Sequence, residues 1–533
     1  MRRLLLTALW VSCGGEEASS RIEVPAPDRD QVPPATAVKR LTRAQYGNAI
    51  RDLLGPAVVV PTALEPDIEQ SGLFSIGASI SSLSPRGVEQ YEAAAFSIAE
   101  QAMALDEVRS QIVGCAGEDG ACTRETLGSL ARRAWRRPPT DGELDVLVKL
   151  AADAQAALGG FDAGLTFGIA AILQMPSFLY RADVGEDDPD RPGKRRYSSW
   201  EMAGRVAFFL TNTVPDDELL DAADRGDLLT DEGLAAQAYR LLASGGAREA
   251  VANFFSELYT LHELDELTKD PNIFRHASPE VGPAARQEVL TTVLDLVFER
   301  DADVGDLLTS SRTFADRRLA AIYNVKAPSP DGFGELTLPE TGARRGLLGQ
   351  VGILAQFAHP VASSATLRGK FIRQVLICGE IPPPPANVNT ALPEPRGDAR
   401  TLKERVKLHL TNPACSGCHL LMDPIGLGLE QFDGLGRFRE LDNGAIIDPS
   451  GDLDGVPYAD SRELAEVIRD HPDFAECFVG NLTRYATSEA SKVAQRGEIE
   501  RLTLAFEAHG RRVLPLMKEI VMSPIFRWAG DQR

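Results

Sequence analysis

The chain predicts a mainly α, multidomain helical protein, and three observations carry that prediction. Apolar residues recur at helical spacing, as in Val206, Phe209 and Leu210 and again in Phe254, Phe255 and Leu258. Capping boxes open helices at Thr42 with Gln45 and at Thr140 with Glu143, where a hydroxyl accepts from the third backbone N–H and the Gln or Glu reaches back. Apolar residues at 44% and charged residues at 25% are ordinary for globular chains, and 533 residues suit roughly three to four domains. The net charge of −21 disfavours nucleic acid and anionic lipid surfaces as partners.

Residues 1–13 read as an export signal. Arg2 and Arg3 precede an apolar run from Leu4 to Val11, too short to span a bilayer, and Ser12-Cys13 follows as in a bacterial lipobox, with Trp10 where Leu is usual. Cys13 is then the lipidated residue and a lipid anchor to a membrane; the bland alternatives are a plain cleaved signal or a mis-set start. Residues 14–37, rich in Ser, Glu, Pro and Asp, form a flexible tether.

Residues 38–110 are an N-terminal helical domain. Tyr46, Ile50, Leu53 and Leu54 share a helix face that Gly55 ends, and a second helix runs from about Arg86 to Ala104. Residues 111–182 are a second helical domain, in which Cys115 and Cys122 bracket the turn-rich AGEDGA and are expected to bond. Its Arg132, Arg133, Arg136 and Arg137 are the densest basic cluster; the plain reading is a solvated helix face ended by Pro138-Pro139. Asp183 to Arg196 reads as a charged linker or exposed loop. Residues 198–330 form a larger helical domain in which Asp216 and Asp217 start a helix, and His262 and His276 are expected to be structural. Arg344 to Ile381 holds a helix, a loop with His359-Pro360 and a helix through Gly369 to Cys378, before the stiff spacer Pro382 to Pro385. Residues 455–533 are a C-terminal helical domain. ILQMPSFLYR from Ile172 and IVMSPIFRW from Ile520 use one device twice: proline ends a helix and an aromatic residue docks it.

The chemistry is concentrated in residues 340–440, where Cys415, Cys418 and His419 spell C-x-x-C-H, the attachment sequence of c-type haem. On one helical turn all three residues fall on one side, where a flat macrocycle can rest, with both thiols on its vinyl groups and His419 on the iron. Competing readings lack something. No second C-x-x-C supplies the other half of a zinc site, and a thioredoxin-type dithiol follows a strand, whereas this one follows the amphipathic run Leu402 to Leu410. Asp423-Pro424 is expected to end the helix. Candidates for the sixth iron position are His409, His359, Met517 and Met522, or no protein ligand; Met422 lies on the same helical side as His419 and cannot cross the porphyrin. On the haem reading the arginine cluster at 132–137 could receive propionates or an acidic redox partner. Removing Cys13 and the haem pair leaves Cys115, Cys122, Cys378 and Cys477; the last two pair only by elimination, and two buried free thiols are nearly as good a reading.

The run NPACSGCHLLMDPIGLGLEQFDGLGRFRE, with LTRAQYGNAIRDLLG, ILQMPSFLYR, VPDDELL, RGLLGQVGILA and RGKFIRQVLICGEIPPPP in this order, resembles a family of large secreted proteins abundant in planctomycetes and myxobacteria. Its domains are catalogued as DUF1587, DUF1595, DUF1592, DUF1588 and DUF1585. The resemblance implies a cytochrome-c-like domain and no stated activity. The loop HPVASSATLRGK lacks the family's Thr-Ser-Pro before Arg-Gly, and RYATSEASK lacks the Gly-Arg after Tyr-Ala.

The function expected from these residues is that of an exported protein of the periplasm or outer membrane, carrying one haem c and passing electrons to a redox partner protein in the envelope. A haem-dependent peroxidase or oxidase is the second reading. A non-catalytic envelope lipoprotein with a Cys415–Cys418 disulfide is the third. Glu430 and Asp433 are read as exposed helix residues, and Asp448, Asp452 and Asp454 as a hairpin turn rather than a calcium loop. No P-loop, dinucleotide fingerprint, nucleophile elbow or H-E-x-x-H is present.

Overall fold

The computed structural model describes residues 35–382, 399–410, 413–490 and 495–530, together with Ile22, residues 24–28 and Pro33. The export signal, Cys13 and most of the tether lie outside the described residues. Helix makes up 57% of the structure and strand 8%, so helix packing builds the cores and the strands serve as local clasps.

The N-terminal body closes on itself. The strand Ala37–Arg40 pairs antiparallel with Tyr180–Asp183, and the helices Arg43–Leu54, Pro85–Ala104, Gly120–Ala134, Asp141–Leu158 and Phe161–Gln174 fill the interval. Both capping boxes form, at Thr42 with Gln45 and at Thr140 with Glu143. One continuous core gathers Tyr46, Ile50, Tyr91 and Ile98 with Leu127, Leu165 and Phe178, so residues 38–110 and 111–182 share an interior. Cys115 and Cys122 form a disulfide beside the start of the helix Gly120–Ala134.

A second, larger core takes in Leu73 and Ile76 and then residues from Tyr197 to Ala529. It is assembled from the helices Ser199–Leu210, Gly246–Leu258, Pro472–Thr487, Arg496–Ala508 and Val513–Met522, and also takes in Leu354, Phe371, Ile425 and Phe432 from the C-x-x-C-H region. Its centre is aromatic: Phe254 meets Phe478 edge-on at 5.9 Å, and Phe478 stacks on Phe506 at 5.5 Å. Cys378 and Cys477 form a disulfide that ties the chain just ahead of the proline spacer to the helix Pro472–Thr487.

Several expectations are corrected by tertiary contacts. Asp183 to Arg196 is no linker: Glu186–Asp187 and Arg195–Arg196 form a ribbon that the C-terminal strand Trp528–Ala529 joins. Asp183 is buried there between Lys39 at 3.4 Å and Arg205 at 3.1 Å, and burial pulls the Lys39 ammonium down to about 7. The arginine cluster is no solvated face either. Its helix stops at Ala134 because Arg136 takes a left-handed φ of 61°, ahead of the prolines. Arg136 is buried and donates to the carbonyl oxygens of Ala134, Ser177, Phe178 and Tyr180, while Arg132 pairs with Asp221 and Arg137 with Glu143. These side chains bolt the body together.

The repeated proline device is built alike at both ends. Pro176 and Pro524 each occupy the first turn of a short helix, Phe178 and Phe526 are buried, and each helix feeds a strand. Asp452 and Asp454 fall in the hairpin of Gly451–Leu453 with Val456–Tyr458, while Asp448 lies just ahead of it and pairs with Lys403.

Candidate functional site

The C-x-x-C-H residues lie on the helix Pro413–Leu427. It crosses the helix Ala365–Phe371 with backbones nearly touching: a Cβ on Gly369 would stand 1.9 Å from the Met422 oxygen, and one on Gly426 would stand 1.8 Å from the Ala365 oxygen. Only glycine fits at either position. This helix also corrects the expectation that it ends at Asp423-Pro424, for it continues through Pro424 to Leu427. Proline interrupts the backbone ladder, but Arg373 Nε donates to the Leu421 carbonyl at 3.2 Å, and Leu420, whose carbonyl would have paired with the N–H that proline lacks, is an exposed residue. The Pro424 carbonyl in turn accepts from the Tyr458 hydroxyl at 2.7 Å.

Beside the crossing opens a cleft of about 1080 Å³, lined by Cys418, His419 and Met422 on one side and by Phe274, His359 and Val361 on another. Ile273, Leu367, Ile381 and Leu402 add apolar wall, and Lys370, Arg405 and Arg439 add positive charge. The volume lies at the upper end of the range for pockets that enclose sizeable organic ligands.

His419 is held from behind. Its Nδ1 lies 2.8 Å from Oδ2 of Asp423, one turn on, and Oδ1 of Asp423 accepts from the Thr366 hydroxyl at 2.7 Å. Asp423 is fully buried, and this arrangement favours the tautomer with the proton on Nδ1, so that Nε2 carries the lone pair a metal takes. Cys418 is a free thiol among the described residues and its Sγ lies 3.3 Å from the Pro382 carbonyl. Cys415 sits on the same helix, but its side chain lies outside the described residues, as does that of His409.

The structure separates the remaining sixth-ligand candidates. His359 lines the cleft, whereas Met517 is buried in the large core and Met522 packs against it, and neither lines the cleft. His262 packs on Phe74 with ring centroids 4.8 Å apart, and His276 is exposed away from the cleft.

The chain after the helix is fixed by buried charge that spacing alone did not reveal. Arg368, fully buried, donates to the carbonyls of Leu354, Leu429, Phe432 and Asp433, and burial pulls its guanidinium down to about 10. Glu430 is not the exposed helix residue expected: it is 2% exposed, in a turn, bonded to the Ser363 hydroxyl and paired with Arg439, and burial raises its carboxyl above the ordinary range. Asp433 is no exposed helix residue either: it is half-buried in the irregular chain after the helix and lines the cleft, and its Oδ1 accepts from the backbone N–H groups of Leu435 and Arg437 at 2.9 Å each. Arg439 and Arg405 share Asp442 at 3.2 and 3.6 Å; Lys370 makes no ion pair among the described residues.

The residues present fit a haem. A histidine backed by a carboxylate and a thiol one residue before it open onto a largely apolar cleft of macrocycle size, and Lys370, Arg405 and Arg439 line the same cleft. Among the described residues there is no group of three or more His, Cys, Asp or Glu arranged to hold a bare metal ion.

Five family models match the chain in order: the proteins of unknown function DUF1587 over residues 39–104, DUF1595 over 122–183, DUF1592 over 197–325, DUF1588 over 344–442 and DUF1585 over 454–526. The fourth, which holds Cys418, His419 and most of the cleft, carries the name PSCyt3, which points to a cytochrome-like domain, although its description states no function. No curated protein and no solved structure matches. With all five domains present in this order from residue 39 to residue 526, the chain belongs to the multidomain family built from DUF1587, DUF1595, DUF1592, DUF1588 and DUF1585.

Proposed function

We propose that the protein is an exported c-type haem protein that passes electrons to a partner protein in the cell envelope, anchored by lipid at Cys13. The observation that carries this reading is the placement of Cys418 and His419 on one turn of a helix that walls a large apolar cleft, with Asp423 fixing the imidazole. Haem bound there supplies a one-electron iron couple. Cys415 and Cys418 would each add a sulfur–hydrogen bond across a vinyl group, forming thioethers with no net oxidation. His419 would donate Nε2 to the iron while the Asp423 carboxylate takes the hydrogen bond of Nδ1–H and strengthens the donor. Arg405, Arg439 and Lys370 would meet the propionates, and the apolar wall of Phe274, Val361 and Leu367 would keep water from one side of the ring.

The test is a pyridine haemochrome spectrum of the full chain exported from a host competent in cytochrome c maturation, beside a Cys415→Ala, Cys418→Ala variant. A c-type spectrum at about one haem per chain, lost in the variant, is expected. Well-folded protein without haem would overturn the proposal and leave the two cysteines as a structural disulfide in a binding protein of the envelope.

A further inference from the structure

We propose that His359 supplies the second axial ligand to the haem iron, opposite His419; this rests on the haem reading above and deepens it to a bis-histidine site. Of the seven histidines in the chain, His359 and His419 are the two that line the cleft among the described side chains. His359 is exposed, and its ring makes no hydrogen bond or ion pair among the described residues. Its backbone, by contrast, is anchored on every side. The buried Lys269 donates to the carbonyls of Ala358 at 3.1 Å and His359 at 2.9 Å. The Asp270 N–H donates to the Pro360 carbonyl at 3.0 Å, and Ala358 pairs with Ser363 across the loop.

A fixed loop that presents an uncommitted imidazole to the cavity walled by a second, carboxylate-backed imidazole offers an iron two nitrogen donors from separate segments of the chain. Among the described side chains, the alternatives fail on placement. Met422 shares the helix face of His419, Met517 is buried in the core behind, and Met522 packs against that core. Coordination adds one nitrogen–iron dative bond, displaces any solvent ligand and changes no oxidation state. The consequence is functional: with both axial positions filled by imidazole the site favours electron transfer, and peroxide has no open position to enter.

The test uses the full-length haem-loaded protein, with ferric electron paramagnetic resonance and near-infrared magnetic circular dichroism as readouts. Wild type is expected to be low-spin without the charge-transfer band of histidine–methionine ligation. His359→Ala should turn high-spin and, once reduced, bind carbon monoxide readily. His359→Met should restore low spin and gain the missing band, a response a merely structural histidine would not give. His409→Ala should stay low-spin. High-spin wild type, a methionine band in wild type, an unchanged His359→Ala spectrum, or loss of low spin in His409→Ala would each overturn the assignment. Because every sample is first assayed by pyridine haemochrome, absence of haem, which sinks both readings, is distinguished from haem with a different ligand, which sinks this one alone.

Discussion

Glu288 is fully buried, and its carboxylate accepts from the hydroxyls of Thr313 at 2.7 Å and Tyr323 at 2.6 Å. Tyr323 carries the Arg344 guanidinium 4.1 Å from its ring centroid, and Arg344 reaches the Gly436 carbonyl in the turn after the C-x-x-C-H helix, so this acid belongs to the frame of the cleft. Burial raises the Glu288 carboxyl from 4.5 to about 7, outweighing both hydroxyl bonds. Between those two values the folded protein therefore binds a proton that the unfolded chain has lost, so this group's contribution falls as pH rises and is fully present only below 4.5. Glu288→Gln keeps an acceptor and cannot ionise. Denaturant titrations should show the stability gap between wild type and Glu288→Gln shifting towards the variant from pH 4.5 to pH 7, by at most about 1.4 kcal/mol per pH unit. A pH-independent gap would mean that Glu288 does not titrate there. None of this was legible in sequence, because an isolated glutamate on a helix has surface exposure as its default and only the fold surrounds it with Thr313, Tyr323 and Arg344. Glu430 and Arg136 depart from what their local sequence implies for the same reason, whereas Thr42 and Thr140 match theirs because a capping box is complete within four residues.

At the scale of elements, the site depends on how closely the helices Ala365–Phe371 and Pro413–Leu427 cross. The atoms that would meet a Cβ at Gly426 are backbone atoms of Ala365, which cannot rotate away, so Gly426→Ala must push the helices apart. We expect a loss of about 1–3 kcal/mol in thermal or denaturant unfolding, as for other overpacked contacts, and a drop in haem incorporation. Gly417 on the same helix is an internal control, since a Cβ there meets nothing within 4 Å. Gly417→Ala should instead stabilise by about 0.5–1 kcal/mol, the ordinary helix preference for alanine. Equal effects of the two substitutions would show that the crossing is looser than its geometry implies. Sequence marked the helix and its chemistry correctly but ended it too soon. A proline normally stops the ladder, and the group that compensates here, Arg373, comes from a distant part of the chain. The two proline-ended helices at Pro176 and Pro524 were legible because helix, proline and docked aromatic residue are contiguous.

Across the whole molecule, the five matched domains do not correspond to five interiors. The segment matched as DUF1588 has a small core of its own in Ala365, Leu402, Val406 and Leu427, while its Leu354, Phe371, Ile425, Leu429 and Phe432 are buried in the core shared with the flanking domains. Val351 and Leu435 are buried with Phe274, Val281 and Leu319, which precede the segment. It is also tied by the Cys378–Cys477 disulfide to the helix Pro472–Thr487 of the segment that follows. Composition and motif order show where one block of sequence gives way to the next, but helical periodicity says only that a face is apolar and never which segment covers it. The physical consequence is that residues 344–442 alone should not form the site. Removing the neighbours exposes large apolar side chains such as Leu354, Phe371 and Phe432, each worth about 1.5–3 kcal/mol when buried, and leaves the segment little of its own to offset the ordering of its backbone. Residues 344–442 exported alone into the same cytochrome-maturing host should therefore be degraded or lack a cooperative thermal transition, even where thioether chemistry marks the unfolded cysteines. Co-export with the rest of the chain as separate pieces should recover a folded complex only if both flanking segments are supplied. An isolated segment that unfolds cooperatively and shows the haem ligation spectrum of the full chain would establish an autonomous cytochrome domain, and the shared core would then be a docking surface rather than a condition of folding.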